Sequence, residues 1–198
     1  MDREHVPLEC SVPIWDRFYL VRPLVVVGTV EPDGTMDFAP KHMAGPMSWD
    51  NYYGFVCCPD HATYRNALRT GEFTVSYPTP DQLIETSFTA GPRAADSSKP
   101  SLKGVHTIPA SVVEGALLDG ARVQLECRLE RTIDDLGPNN VVIGRVVAAS
   151  VDEAALRGLD REDAHTISDA PILAYLQPNR FAVIDESRSF PFFQGWSR

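Results

Sequence analysis

The sequence predicts a mostly β, antiparallel fold with short helices in the connections. Its clearest signal is the alternation of Val123, Leu125, Cys127 and Leu129 with Gln124, Glu126, Arg128 and Glu130, the period of a strand with one buried face. Leu136-Gly137-Pro138-Asn139-Asn140 then supplies a turn, and Val141 to Val151 returns as a partner strand. The third observation is a pair of short runs rich in β-branched and aromatic residues, Leu24 to Val30 and Tyr52 to Cys58.

Taken in order, residues before Pro23 carry Trp15, Phe18 and Tyr19 and read either as an arm over 1–22 that packs across the β structure or onto a partner subunit, or as an extended surface segment pinned by its aromatics. The 24–30 strand runs into Glu31-Pro32-Asp33-Gly34, a turn in which Gly34 takes a positive φ without steric cost. Met36 to Gly45 mixes apolar, cationic and imidazole groups and reads as a loop. After the 52–58 strand, Asp60 is a natural N-cap for a short helix over 64–70, which Gly71 ends. Glu72 to Tyr77 reads as a strand with Phe73, Val75 and Tyr77 on one face. Thr79-Pro80-Asp81-Gln82 carries the signals of a capping box, with Leu83, Ile84 and Phe88 as the apolar stripe of the helix it opens. Gly91 to Pro109 is a long polar connection, of the kind that is usually functional or mobile. Asp152 to Leu156 reads as a helical turn with acidic residues at its start, and 172–176 and 181–184 as two last strands. The tail over 186–198 holds Phe190, Phe192, Phe193 and Trp196, rings that need a surface to bury them. The whole of 1–198 reads as one domain.

Composition narrows the function. A net charge of −9 disfavours nucleic acid and anionic membranes as partners. The N-terminus lacks the pattern of a secretory signal, and no apolar run reaches the length of a membrane helix. Cys10, Cys57, Cys58 and Cys127 form no Cys-x-x-Cys pair, so a reducing cytoplasm is the expected setting and neither disulfide nor metal site is expected. Rossmann, P-loop, His-Glu-x-x-His and Gly-x-Ser-x-Gly patterns are all missing. Only three lysines occur, Lys41, Lys99 and Lys103, and the first falls in the Ala-Pro-Lys-His segment.

The ordered series Pro-x-Val-Val-Val-x-Thr from Pro23, Asp33-Gly34, Phe38-Ala39-Pro40, Thr63-Tyr64-Arg65-Asn66 and Thr70-Gly71-Glu72-Phe73-Thr74-Val75 resembles the flavin reductase-like family. Leu125-Glu126-Cys127, Val142 to Val147 and Pro171 to Tyr175 extend the likeness to about Phe181. The resemblance implies an antiparallel FMN-binding split β-barrel that dimerises. It implies an enzyme that takes electrons from NADH or NADPH through FMN to free flavin, a metal complex or a partner enzyme. An FMN-binding electron carrier without a nicotinamide site is the alternative, and a barrel that lost flavin for another small ligand is a third.

FMN sets the chemistry expected of the site. Its phosphate wants backbone N–H groups, hydroxyls or cations, its ring a flat slot, and its N1–C2 edge a cation that favours the reduced state. His61 and Thr63 at the helix start, with Asn66 close by, answer the first demand. Phe38, Ala39, Pro40, Lys41 and His42 answer the second, with Thr29 joining the cofactor set by its place in the family pattern. Lys41, His42 and His165 are the candidate catalytic groups, the last standing where family members place nicotinamide contacts. Asp37 and His42 replace the Asn and the Ser or Thr common in the family, and two serines inserted in Asp96-Ser97-Ser98-Lys99 weaken the role implied for Lys99.

Overall fold

The computed structural model describes residues 4–158, 162–193 and 195, so Gln194 and Trp196 of the aromatic tail lie outside the described residues. The strands are β1 (Leu20–Pro23), β2 (Val25–Val30), β3 (Met36–Lys41), β4 (Ala44–Pro46), β5 (Tyr52–Cys57), β6 (Glu72–Tyr77), β7 (Thr107–Pro109), β8 (Ala116–Leu118), β9 (Val123–Leu136), β10 (Asn139–Val151), β11 (Ile172–Gln177) and β12 (Arg180–Ile184). The helices are α1 (Ala62–Thr70), α2 (Leu83–Phe88) and α3 (Asp163–Asp169).

Seven strands form one antiparallel sheet in the order β3-β2-β6-β9-β10-β5-β4. Its two edge strands are neighbours in the chain, joined by His42 and Met43 alone. A flat sheet with six strand intervals would hold its edges roughly 28 Å apart. Three peptide steps reach only about 11 Å. The sheet is therefore rolled into a split barrel. The β9–β10 hairpin, closed at Gly137 with φ 65°, has three register shifts, which add the bend that rolling needs. A second sheet of order β1-β11-β12 and the β7–β8 hairpin complete the β structure.

The barrel interior is filled by Val25, Val27, Tyr53, Phe55, Phe73, Val75, Cys127 and Val142, with Tyr64 and Ala67 of α1 packed into the same cluster. Phe55 and Phe73 meet edge to face at 5.2 Å, and Gly144 is the residue that makes room for Phe73. A second cluster, Val26, Phe38, Ala116, Leu118 and Ala121, lies on the other face of β2 under the β7–β8 hairpin. β2 is thus buried along its whole length, as its continuous apolar run requires.

Four expectations change in the folded chain. The 36–45 segment is not a loop but β3 and β4: Pro40 is compatible with a strand because β3 is an edge, where a missing N–H breaks no inner ladder. The stripe of α2 is not a buried one, since Ile84 and Phe88 are exposed while Thr86 and Thr89 are buried; α2 borders a cleft rather than capping the core. Part of the 1–22 arm is a strand: β1 is held by backbone pairing to β11, while Trp15 and Tyr19 stay exposed. The helix after Cys58 begins at Ala62 with His61, not Asp60, as N-cap, and Gly71 ends it at φ 72°.

Glu126 is the fifth departure. Strand alternation assigns it to solvent, yet it is 5% exposed because the 111–113 loop covers that face of β9. Its carboxylate accepts from Ser111 N–H (2.8 Å) and Oγ (2.6 Å), Val112 N–H (2.6 Å) and Val113 N–H (2.9 Å). Burial alone would raise its pKa, but the donors from Ser111, Val113 and Val112 outweigh burial and hold it below 4.5. A native pKa below the unfolded one makes this stabilisation complete above the ordinary Glu range and lost as pH falls through the native value. Glu126→Gln is expected to cost about 1.5–3 kcal/mol at pH 7 by denaturant unfolding. The gap to wild type should close as the pH is lowered below 4.

Candidate functional site

Two clefts meet at Pro40 and Lys41 of β3. In the first, of about 420 Å³, Asp37, Ala39, Pro40 and Lys41 face the start of α1 (Asp60, His61, Ala62, Thr63, Arg65) and the segment from Thr89 to Arg93, with Lys99 beside them. In the second, of about 410 Å³, Pro40, Lys41 and His42 face Leu24, Leu83, Thr86 and Ser87 on one side and Tyr175, Asn179, Arg180 and Phe181 on the other. The two share Pro40 and Lys41, and each alone is within the size range of small-molecule sites.

The first cleft is suited to an anion. No side chain caps α1; Tyr64 and Arg65 N–H turn back to the His61 carbonyl, and the Ala62–Thr63 end of the helix, with its partial positive charge, lines the cleft. Lys41, Arg65, Arg93 and Lys99 stand against Asp37 and Asp60, which leaves the lining two charges positive (four minus two) in a chain of net charge −9. Lys99 Nζ donates to the Phe38 carbonyl at 2.6 Å and lies 3.5 Å from Asp37 Oδ1. Burial pulls its pKa down, with the Asp37 carboxylate opposing. Arg93 reaches Asp37 Oδ1 at 2.8 Å and also pairs with Glu31. The Thr63 hydroxyl, buried, donates to Asp37 Oδ2 at 3.4 Å.

The second cleft offers a flat surface. The His42 ring lies on Tyr175, centroids 4.7 Å apart and planes tilted by 32°. Tyr175 is itself fixed by the β11–β12 turn, its hydroxyl accepting from Asn179 N–H at 2.9 Å. Partial burial lowers the His42 pKa, and the charges of Arg22 and Lys41 lower it further. Below the cleft, burial raises the Cys57 thiol while Lys41 opposes that shift, so the ammonium and the thiol are neighbours.

The structure brings together Ala39, Pro40, Lys41, His61 and Thr63 in one cleft and adds His42 in the next. It separates the rest. The Phe38 ring is in the second core cluster, and only its carbonyl reaches the site, through Lys99. Thr29 and Asn66 are buried against each other at 3.3 Å, tying α1 to β2. His165 is exposed on α3 and lines neither cleft, because α3 packs beside the Glu153–Ala155 turn instead. Arg69, in the last turn of α1, donates to the Val30 carbonyl and lines neither cleft. Sequence reasoning missed Arg93 and Tyr175 and undervalued Lys99. The first and last sit in a long polar connection whose path no local pattern specifies.

A split β-barrel with a net positive cleft beside a second cleft that holds Lys41, His42 and Tyr175 is the architecture to be placed. The flavin reductase-like domain matches residues 17–180, and the chain belongs to that family, a class of flavin-linked oxidoreductases. An uncharacterised protein of Bacillus subtilis, YwrF, is 28% identical over 158 residues, covering 75% of this chain and 76% of its own. Nitrilotriacetate monooxygenase component B from Bacillus cereus superimposes with a TM-score of 0.79 at 20% identity, over 96% of this chain and all of that one. Flavoredoxin from Methanosarcina acetivorans gives 0.77 at 15% identity over 98% of each chain. Among the described residues no helix is long and apolar enough to cross a membrane.

A depressed His42 pKa has a definite sign. Between the unfolded value near 6.5 and the lower native value only the unfolded chain binds the proton, so acidification through that window destabilises the fold. The His42 ring signals should titrate below 6.5 by NMR. His42→Gln should lose less thermal stability than wild type between pH 7 and 5.

Proposed function

We propose that the protein is an FMN-dependent oxidoreductase of flavin reductase type, passing electrons from NADH or NADPH to free flavin, a metal complex or a partner enzyme in the cytoplasm. The observation that carries this reading is the net positive cleft at the uncapped start of α1, joined through Pro40 and Lys41 to the slot beside His42 and Tyr175. When bound, FMN supplies the two-electron centre between donor and acceptor.

The residues fit that group. The first-turn N–H groups of α1, with Arg93 and Lys99, would hold the phosphate. Pro40, His42 and Tyr175 bound the slot for the ring. Lys41 stands where the two clefts meet, and an ammonium there stabilises an anionic reduced ring more than a neutral oxidised one. Only such a differential interaction assists the chemical step. His42, neutral at pH 7, is suited to hold or release a proton at its ring nitrogens. The exposed rings of Trp15, Tyr19, Phe190 and Phe193 support a homodimer, in which a second copy covers them. The position of His165 outside the clefts favours a second reading, an electron carrier without a nicotinamide site of its own.

FMN added to the purified protein should lose fluorescence at micromolar concentrations, and FMN should bind more tightly than riboflavin. Anaerobic NADH or NADPH should bleach the bound flavin; absence of bleaching with both nucleotides would favour the carrier. Lys41→Met is expected to lower the potential of bound FMN by roughly 30 mV for each 1.4 kcal/mol of reduced-state stabilisation lost. Oxidised-FMN affinity should change little. An unchanged potential would make Lys41 a solvated charge. Sedimentation of the full chain should give the mass of two copies.

A further inference from the structure

The donors of the anion cleft already converge on an anion, and it belongs to the chain. Asp37 is 3% exposed, and Arg93, Lys99 and Thr63 all point at its carboxylate. The grip is poor. The Thr63 bond is long at 3.4 Å, and Oδ1, shielded from solvent, accepts no well-aligned hydrogen bond among the described residues.

The cations, by contrast, have anchors other than Asp37 that fix their positions. Arg93 also donates to the Ser97 carbonyl at 2.7 Å and pairs with Glu31. Lys99 Nζ is fixed by the Phe38 carbonyl at 2.6 Å. Asp37 therefore contributes charge rather than scaffolding. It lies on β3 between Phe38, which is in the core, and the Glu31–Thr35 turn, so it has no freedom to leave when another anion enters.

A phosphate in this cleft meets two costs from that carboxylate. Like charges a few ångströms apart repel, and in a partly buried cleft water screens them weakly. Thr63 has one hydroxyl proton, and while Asp37 accepts it the phosphate cannot. We propose that Asp37 is a specificity-determining residue, a built-in counter-anion that competes with the phosphate of a phosphorylated flavin for Arg93, Lys99 and Thr63. Its effect is to keep that ligand exchanging instead of permanently held. The inference rests on the proposed flavin function and concerns only the phosphate, so ligands that differ in the phosphate alone separate the two.

FMN and riboflavin are titrated against wild type and Asp37→Asn by flavin fluorescence quenching, at low and high salt. Asn keeps the volume and removes the charge, raising the net charge of the cleft lining from two to three positive. FMN affinity is expected to rise roughly tenfold or more, with riboflavin affinity unchanged within about twofold and the gain shrinking at high salt. Riboflavin binding by the variant reports an intact ring slot. Retained riboflavin binding with equal or weaker FMN binding would overturn the proposal and make Asp37 an anchor for the cations. Should the Asn variant lose both ligands through misfolding, Asp37→Ser is judged by the same ratio, and no FMN gain there overturns it as well. Wild type that binds FMN while neither variant gains sinks only this inference. Failure of every protein to bind either flavin removes the flavin function and the counter-anion role together.

Discussion

The link between β3 and β4 governs the architecture. Two residues, His42 and Met43, connect opposite edges of a seven-stranded sheet, and that span is reachable only if the sheet is rolled. Rolling puts the open edge of β3 next to α1 and α2, where Ala39, Pro40 and Lys41 line the clefts. It also leaves β3 a sheet edge, which is what allows Pro40 in a strand and leaves one row of backbone groups without a strand partner. His42 is thus both part of the closing link and the ring that lies on Tyr175.

Around that frame, polar groups divide by depth. Glu126 is buried and satisfied by four donors, a clamp that holds the 111–113 loop over β9. Asp37 is equally buried but poorly bonded, at the boundary of the anion cleft. Both are carboxylates removed from water, and their surroundings give them opposite uses: the one is structural, the other adjusts the field of a site. Cys127, in the barrel interior, has its thiol pushed up to about 12 by burial with Glu126 adding to it, which makes it an inert core residue.

Positive charge in the clefts stands out because the chain as a whole is acidic. A field of that sign, confined between β3, the start of α1 and the 89–99 segment, draws anionic ligands to a place that the net charge would otherwise repel them from. The continuation toward His42 and Tyr175 carries Lys41 and Arg180 and no carboxylate.

What the sequence by itself determined was local and periodic. The β9–β10 hairpin, the buried run of β2, the left-handed Gly34 and Gly71, and the Thr79–Gln82 turn, where Thr79 N–H donates to Gln82 at 3.1 Å, all follow from neighbours along the chain. The ordered family series extended that reading to the split barrel, and it pointed to Ala39 through His42 and to Thr63. Tertiary structure decided the rest. Glu126 and Phe38 went inside because the β7–β8 hairpin, a separate segment from both of their strands, covers their face of the sheet. Thr29 and Asn66 became packing partners once α1 lay on β2. Arg93 and Lys99 entered the site because a long connection folds back onto β3, bringing residues more than fifty positions away to Asp37. Periodicity records which face a residue shows to its own strand or helix; it carries no information on what a distant segment will lay across that face.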